Sequence, residues 1–139
     1  MVETFTNGLV LDRRIAGKPG AHALIIGVDD YPYLNSSTAL SELHLELPEL
    51  TSATKSALAF HDWLMNNARL PVPLFTSRLL LSPLPDEQNI NSFPSNWAHA
   101  NTEDLVKAAT GWIRDARGSA EDMTIFYFCG HKLLSLIHI

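Results

Sequence analysis

Cysteine is almost missing from this 139-residue chain: Cys129 stands alone, which excludes an internal disulfide framework and a cysteine-rich zinc module. Basic residues are also few. Ten Lys and Arg face fifteen Asp and Glu, for a formal charge of −5, and no basic run or stripe occurs. A nucleic-acid partner held by phosphate neutralisation is therefore not expected. The longest apolar runs fall far short of the ~18–20 residues that cross a bilayer, and no basic region followed by an apolar run opens the chain. Neither a membrane partner nor a signal peptide is expected. His22, His44, His61 and His99 have no ligand-like spacing, so no metal site and no cofactor are predicted. With 46% hydrophobic and only 18% charged residues, the chain is too apolar for a disordered segment. These exclusions leave a soluble, cytoplasmic globular chain of one-domain size.

What is present is an alternation of apolar runs and helical patterns. Residues 1–20 are mixed and polar, broken by Gly17, Pro19 and Gly20, and read as a leader. Ala23 to Val28 is a nearly unbroken apolar run that suits a strand buried on both faces, and Asp29-Asp30-Tyr31-Pro32 stops it. Residues 36–51 fit either an edge strand, with Leu43, Leu45 and Leu47 alternating with polar neighbours, or an irregular insertion. Ala53, Ala57, Phe60 and Leu64 then mark one face of a helix that Thr51 or Ser52 can cap. Leu79-Leu80-Leu81 form a second buried strand ending at Ser82-Pro83, and the Pro-, Asn- and Ser-rich residues 83–101 read as a long loop. A second helix follows, capped by Asn101 or Thr102. Its apolar face is Leu105, Ala109, Trp112 and Ala116, with Arg114 and Arg117 in the last turn and Gly118 past it. Met123 to Cys129 reads as a third buried strand running into Gly130-His131. This β-α-β-α-β order predicts an α/β domain with a mainly parallel sheet covered on both faces, the three tryptophans lying in its core.

In an open parallel sheet, ligands bind beyond the carboxyl ends of the strands. The residues to inspect are therefore Asp29, Asp30 and Tyr31 after the first strand, Ser82 and Pro83 after the second, and Cys129, Gly130 and His131 after the third. If the first and third strands are neighbours, the aspartates and His131 open onto one crevice. The bland readings are a loop-capping histidine, turn aspartates and an inert packing cysteine.

Two stretches resemble a known family. HALIIGVDDYPY (residues 22–33) resembles the first strand of caspase-like cysteine peptidases of the bacterial and metacaspase kind, and TIFYFCGH (124–131) resembles the third, whose family ending is a YFSGHG-type sequence. Between them SATKSALAFHDWL, RLLLSP and TEDLVKAATGWI are similar to the family's first helix, second strand and second helix. The likeness covers residues 21–131; with 1–20 as leader, it implies the β-α-β-α-β portion of a three-layer α/β/α domain. It also implies a cysteine–histidine dyad acting on a protein or peptide substrate. By that likeness His131 accepts the thiol proton and later protonates the leaving amine, and the cysteine forms an acyl-enzyme that water hydrolyses.

Cys129 matches the small residue before the Gly-His, not the nucleophile, which in this family ends the following strand roughly 50 residues after the histidine. Eight residues follow His131, so the nucleophile is expected outside this chain. Lys132 stands where the family has an oxyanion-hole glycine, and residues 132–139 are expected to be a truncation scar or linker-encoded tail. The chain alone is thus expected to be an inactive partial domain with an exposed apolar edge. Aspartate-specific caspases hold the substrate carboxylate with an arginine near the end of the first strand. Here Asp29 and Asp30 occupy that region instead, which predicts cleavage after Arg or Lys, as in metacaspases. Two rivals remain: a non-catalytic caspase-like scaffold, and a phosphoacceptor receiver domain. The second needs an aspartate at the tip of the third strand, where this chain has Cys-Gly-His.

Overall fold

The computed structural model describes residues 8–29, 52–66, 69–83 and 92–130. Asp30, Tyr31, the ambiguous segment 36–51, His131 and the tail 132–139 lie outside the described residues. In chain order the elements are β1 (Leu9–Asp12), β2 (Ala21–Val28), α1 (Ala53–Asn66), β3 (Leu74–Ser82), β4 (Ala98–His99), α2 (Thr102–Asp115) and β5 (Met123–Cys129). They form a mixed α/β fold around one mostly parallel sheet of order β1-β3-β2-β5, with β4 also on β3.

The central pair is β2 and β3. Every residue of β2 is buried, as is all of β3 but Ser82, the outcome expected for strands covered on both faces. The pleat divides β2 between two cores. Ala21, Ala23 and Ile25 join Ala57, Leu64, Leu79 and Leu81 beneath α1, whereas Leu24, Ile26 and Val28 join Leu80 and Ala108 beneath α2.

Both helices begin as their sequences suggest. The Ser52 hydroxyl accepts the Lys55 N–H at 3.0 Å, and the Asn101 side chain accepts the Asp104 N–H at 2.8 Å. Of the paired capping candidates, Ser52 and Asn101 are therefore the N-caps seen. The buried stripe of α2 is centred on Ala108 and Gly111, one residue from the expected positions, and Leu105, Ala109 and Trp112 pack around it.

Several expectations need correction. The supposed leader contains β1, which runs antiparallel to β3 with Leu11 opposite Ser77 and Asp12 opposite Thr76. Four residues with a single acidic end carry too little periodicity to stand out, and tertiary pairing alone makes them a strand. The long loop likewise contains β4, which pairs with Leu80 and Leu81. β5 is not buried on both faces. Its exposure alternates along the strand, leaving Phe126 57% and Phe128 41% exposed. Among the described residues β5 pairs only with β2, so an apolar composition there meant an uncovered edge strand. Trp63 is exposed rather than core, while His22 and His61 are buried. His22 bonds Thr76 Oγ1 at 2.8 Å and His61 bonds Ser77 Oγ at 3.0 Å, so each imidazole is satisfied inside the sheet–helix layers. No described helix is long and apolar enough to cross a membrane.

Candidate functional site

The carboxyl ends of the strands are brought together by register. β2 lies between β3 and β5, parallel to both, with Val28 opposite Ser82 and Gly27 opposite Cys129. The Asp29 N–H donates to the Ser82 carbonyl at 2.8 Å, carrying the pairing one residue past the end of β2. The first and third predicted strands are thus immediate neighbours. The peptides that follow Val28 and Cys129 leave the sheet side by side.

Asp29 has a defined position. Its Oδ1 accepts the Ala53 N–H at 2.6 Å, and its Oδ2 accepts the Thr54 N–H at 2.9 Å and the Ser52 hydroxyl at 3.1 Å. These are orphan donors of the first turn of α1, which has no acidic residue of its own. Asp29 therefore supplies from the strand tip the negative charge that a helix N-terminus favours. The arrangement depends on close packing. A Cβ on Gly27 would lie 2.6 Å from the Ala53 carbonyl oxygen and 2.8 Å from the Ala57 Cβ, so glycine is what allows α1 to sit against β2.

Cys129 is half-buried. It lies on the α1 side of the strand with Tyr127. Burial, with Cys129 second, pushes the Tyr127 hydroxyl above its ordinary pKa. The Tyr127 ring stacks on Phe60 with centroids 4.4 Å apart. Cys129 is thus packed at the strand end beside an aromatic pair. Among the described residues, no group of three or more His, Cys, Asp or Glu is placed to hold a metal ion.

A second polar cluster lies at the opposite, amino ends of the same strands, and sequence reading missed it. Arg78 is 2% exposed and donates to Asp115 Oδ2 from both terminal nitrogens, at 3.1 and 3.2 Å. Arg14 reaches the other Asp115 oxygen at 2.6 Å. Asp122 accepts the Gly20 N–H at 2.8 Å and the Ser119 N–H at 3.1 Å, and its Oδ2 lies 3.5 Å from His22 Nε2. The one available signal was Arg78 itself, a charged residue opening the apolar run RLLLSP. Asp115, which it binds, is 37 positions away and follows no local pattern.

Comparison with known proteins finds no family model, no curated protein and no solved structure that matches the chain.

Proposed function

We propose that this chain is the amino-terminal part of a caspase-like cysteine endopeptidase, supplying the histidine of a cysteine–histidine dyad. Support comes from one observation: β2 and β5 are adjacent parallel strands, and in the sequence Asp29-Asp30 follows the first and Gly130-His131 follows the second. A central parallel sheet opens its ligand crevice at such carboxyl ends.

In this reading His131 takes the proton of a thiol contributed by sequence beyond this chain, and the thiolate attacks the scissile carbonyl. The same imidazole then protonates the departing amine, leaving an acyl-enzyme for water to cleave. Imidazole suits both steps because its unperturbed pKa of ~6.5 allows proton exchange near neutrality. Cys129 keeps a packing role beside Tyr127. Asp29 is anchored to α1, so within the pair Asp30 is the carboxylate proposed to meet a basic substrate side chain, with Asp29 adding negative potential behind it. The substrates are proteins or peptides cut after Arg or Lys.

The test is a polypeptide carrying this chain with its downstream coding sequence, assayed on matched peptides ending in Arg, Lys or Asp. Cleavage after Arg and Lys is expected, and His131→Ala should lower kcat/KM by about 10³-fold or more. Strong preference for Asp would reject the specificity. Full activity in His131→Ala would reject the dyad, and a downstream strand without a cysteine would leave a scaffold domain.

A further inference from the structure

We propose that the outer edge of β5 pairs with β5 of a second copy of this chain, antiparallel about a twofold axis through Phe126. The inference concerns the chain as it stands and does not rest on the peptidase reading.

Backbone geometry fixes which groups the edge offers. The Met123 N–H donates to the Gly20 carbonyl at 3.0 Å, so the odd-numbered residues of β5 turn their peptide groups toward β2. Thr124, Phe126 and Phe128 turn theirs to the outer edge, where among the described residues no strand meets them. Natural edge strands are guarded by lysines, prolines or bulges. β5 has none of these: MTIFYFC carries no charge and no proline, and its register with β2 is unbroken.

The side chains are uncovered along the same edge. Thr124, Phe126 and Phe128 share the face on the α2 side, and all three are exposed. Trp112 of α2 reaches Phe126, with ring centroids 6.0 Å apart, yet leaves both phenyl rings open to solvent. On the opposite face Tyr127 stacks on Phe60, beside which Trp63 is also exposed. Peptide groups and apolar rings thus await cover on one strand, and a second strand supplies both.

β5 is complementary to itself. Antiparallel pairing centred on Phe126 sets that residue against its counterpart and Thr124 against Phe128. These are the residues whose N–H and C=O groups face outward, so each pair exchanges two hydrogen bonds. Between them fall Met123 opposite Cys129 and Ile125 opposite Tyr127, the second an aromatic and β-branched pair of the kind that stabilises cross-strand contacts. Each chain carries −5 overall, but none of that charge lies on β5, so no like charges meet across the axis. The four phenyl rings alone withdraw roughly 400 Å² from water. With the strand edges added, the contact approaches the ~1,000 Å² of a specific interface. One edge paired with itself closes after two chains.

The experiment is sedimentation equilibrium of this chain from micromolar to submillimolar concentration. The mass is expected to rise from one chain to two and no further. Phe126→Lys sets like charges face to face across the axis without touching the core, so it should keep the circular dichroism spectrum and weaken dimerisation by at least about tenfold. Thr124→Lys should weaken it as well. Ile15→Lys, at an equally exposed site between β1 and β2, should not. Register is read by Met123→Cys, whose thiol would stand opposite Cys129 of the other copy at a spacing that a disulfide spans. With oxidised glutathione this variant should form covalent dimers. The parent should not, because its two Cys129 residues would lie at opposite ends of the paired strands. A monomer at every concentration, or growth beyond two chains, would overturn the proposal. So would equal weakening by Ile15→Lys, or cross-linking of the parent as fast as of Met123→Cys.

Discussion

The two ends of the sheet use acidic residues in contrasting ways. At the amino end, Asp115 and Asp122 are set against buried Arg78 and His22, so charge meets a desolvated charge or imidazole. At the carboxyl end, Asp29 is held by two peptide N–H groups and a hydroxyl at the start of α1. Removing a carboxylate from the first setting strands a cation in low dielectric, whereas removing it from the second leaves only neutral N–H and O–H donors without their acceptor. The same side-chain chemistry thus carries very different energetic consequences, decided by what the fold places opposite it.

The sharpest way to break this comparison is Asp115→Ala. Arg78 would then be a buried charge deprived of its carboxylate, and stability to urea is expected to fall by about 3–5 kcal/mol. A loss below about 1 kcal/mol would show that Arg78 is compensated from elsewhere. Gly27→Val comes next. The added side chain would collide with backbone at Ala53 and push α1 off β2, costing about 2–3 kcal/mol by denaturant unfolding. Asp29→Ala is expected to cost about 1–2 kcal/mol as a lost cap, and Asp29→Asn less, because the amide keeps one acceptor for α1. If Asp29→Ala matched Asp115→Ala, the distinction between the two ends would fail.

The smallest effect concerns pH. Burial holds the His61 imidazole below its ordinary pKa, so the folded state binds its proton less readily than the unfolded chain. Its contribution is therefore fully present above pH ~6.5 and is lost as the pH falls through the lower folded value. His61→Gln, which keeps hydrogen-bonding capacity toward Ser77, should flatten the stability curve in that window. An unchanged slope between the variant and the parent would assign the acid sensitivity to other groups.

Much of the architecture was legible because it rests on periodicity. The runs Ala23 to Val28 and Leu79 to Leu81 became the central strands, and the stripes on 53–64 and 105–112 became the two covering helices. Periodicity failed where it was short or ambiguous. β1 and β4 are too brief to show a pattern, and they exist because β3 offers them hydrogen-bonding edges. β5 shows the opposite error. Its apolar composition matches that of β2, yet its exposure alternates from residue to residue. Composition alone does not distinguish a strand flanked on both sides from one at an edge. The candidate site was legible in part: the residues after each strand were, while the adjacency of the first and third strands, which the sequence left as a condition, and the anchoring of Asp29 by α1 came from the fold.

By itself, the order of residues determined the three longer strands and the two helices, where the helices begin, and which residues follow those strands. All of these follow from interactions within a few positions along the chain. Only the tertiary structure decided that β2 takes the centre, that Arg78 and His22 are buried with acids from distant segments, and that Asp29 serves a helix beginning 24 residues later. The reason is physical: burial and charge pairing depend on which surfaces meet, and that choice is made by the whole sheet at once.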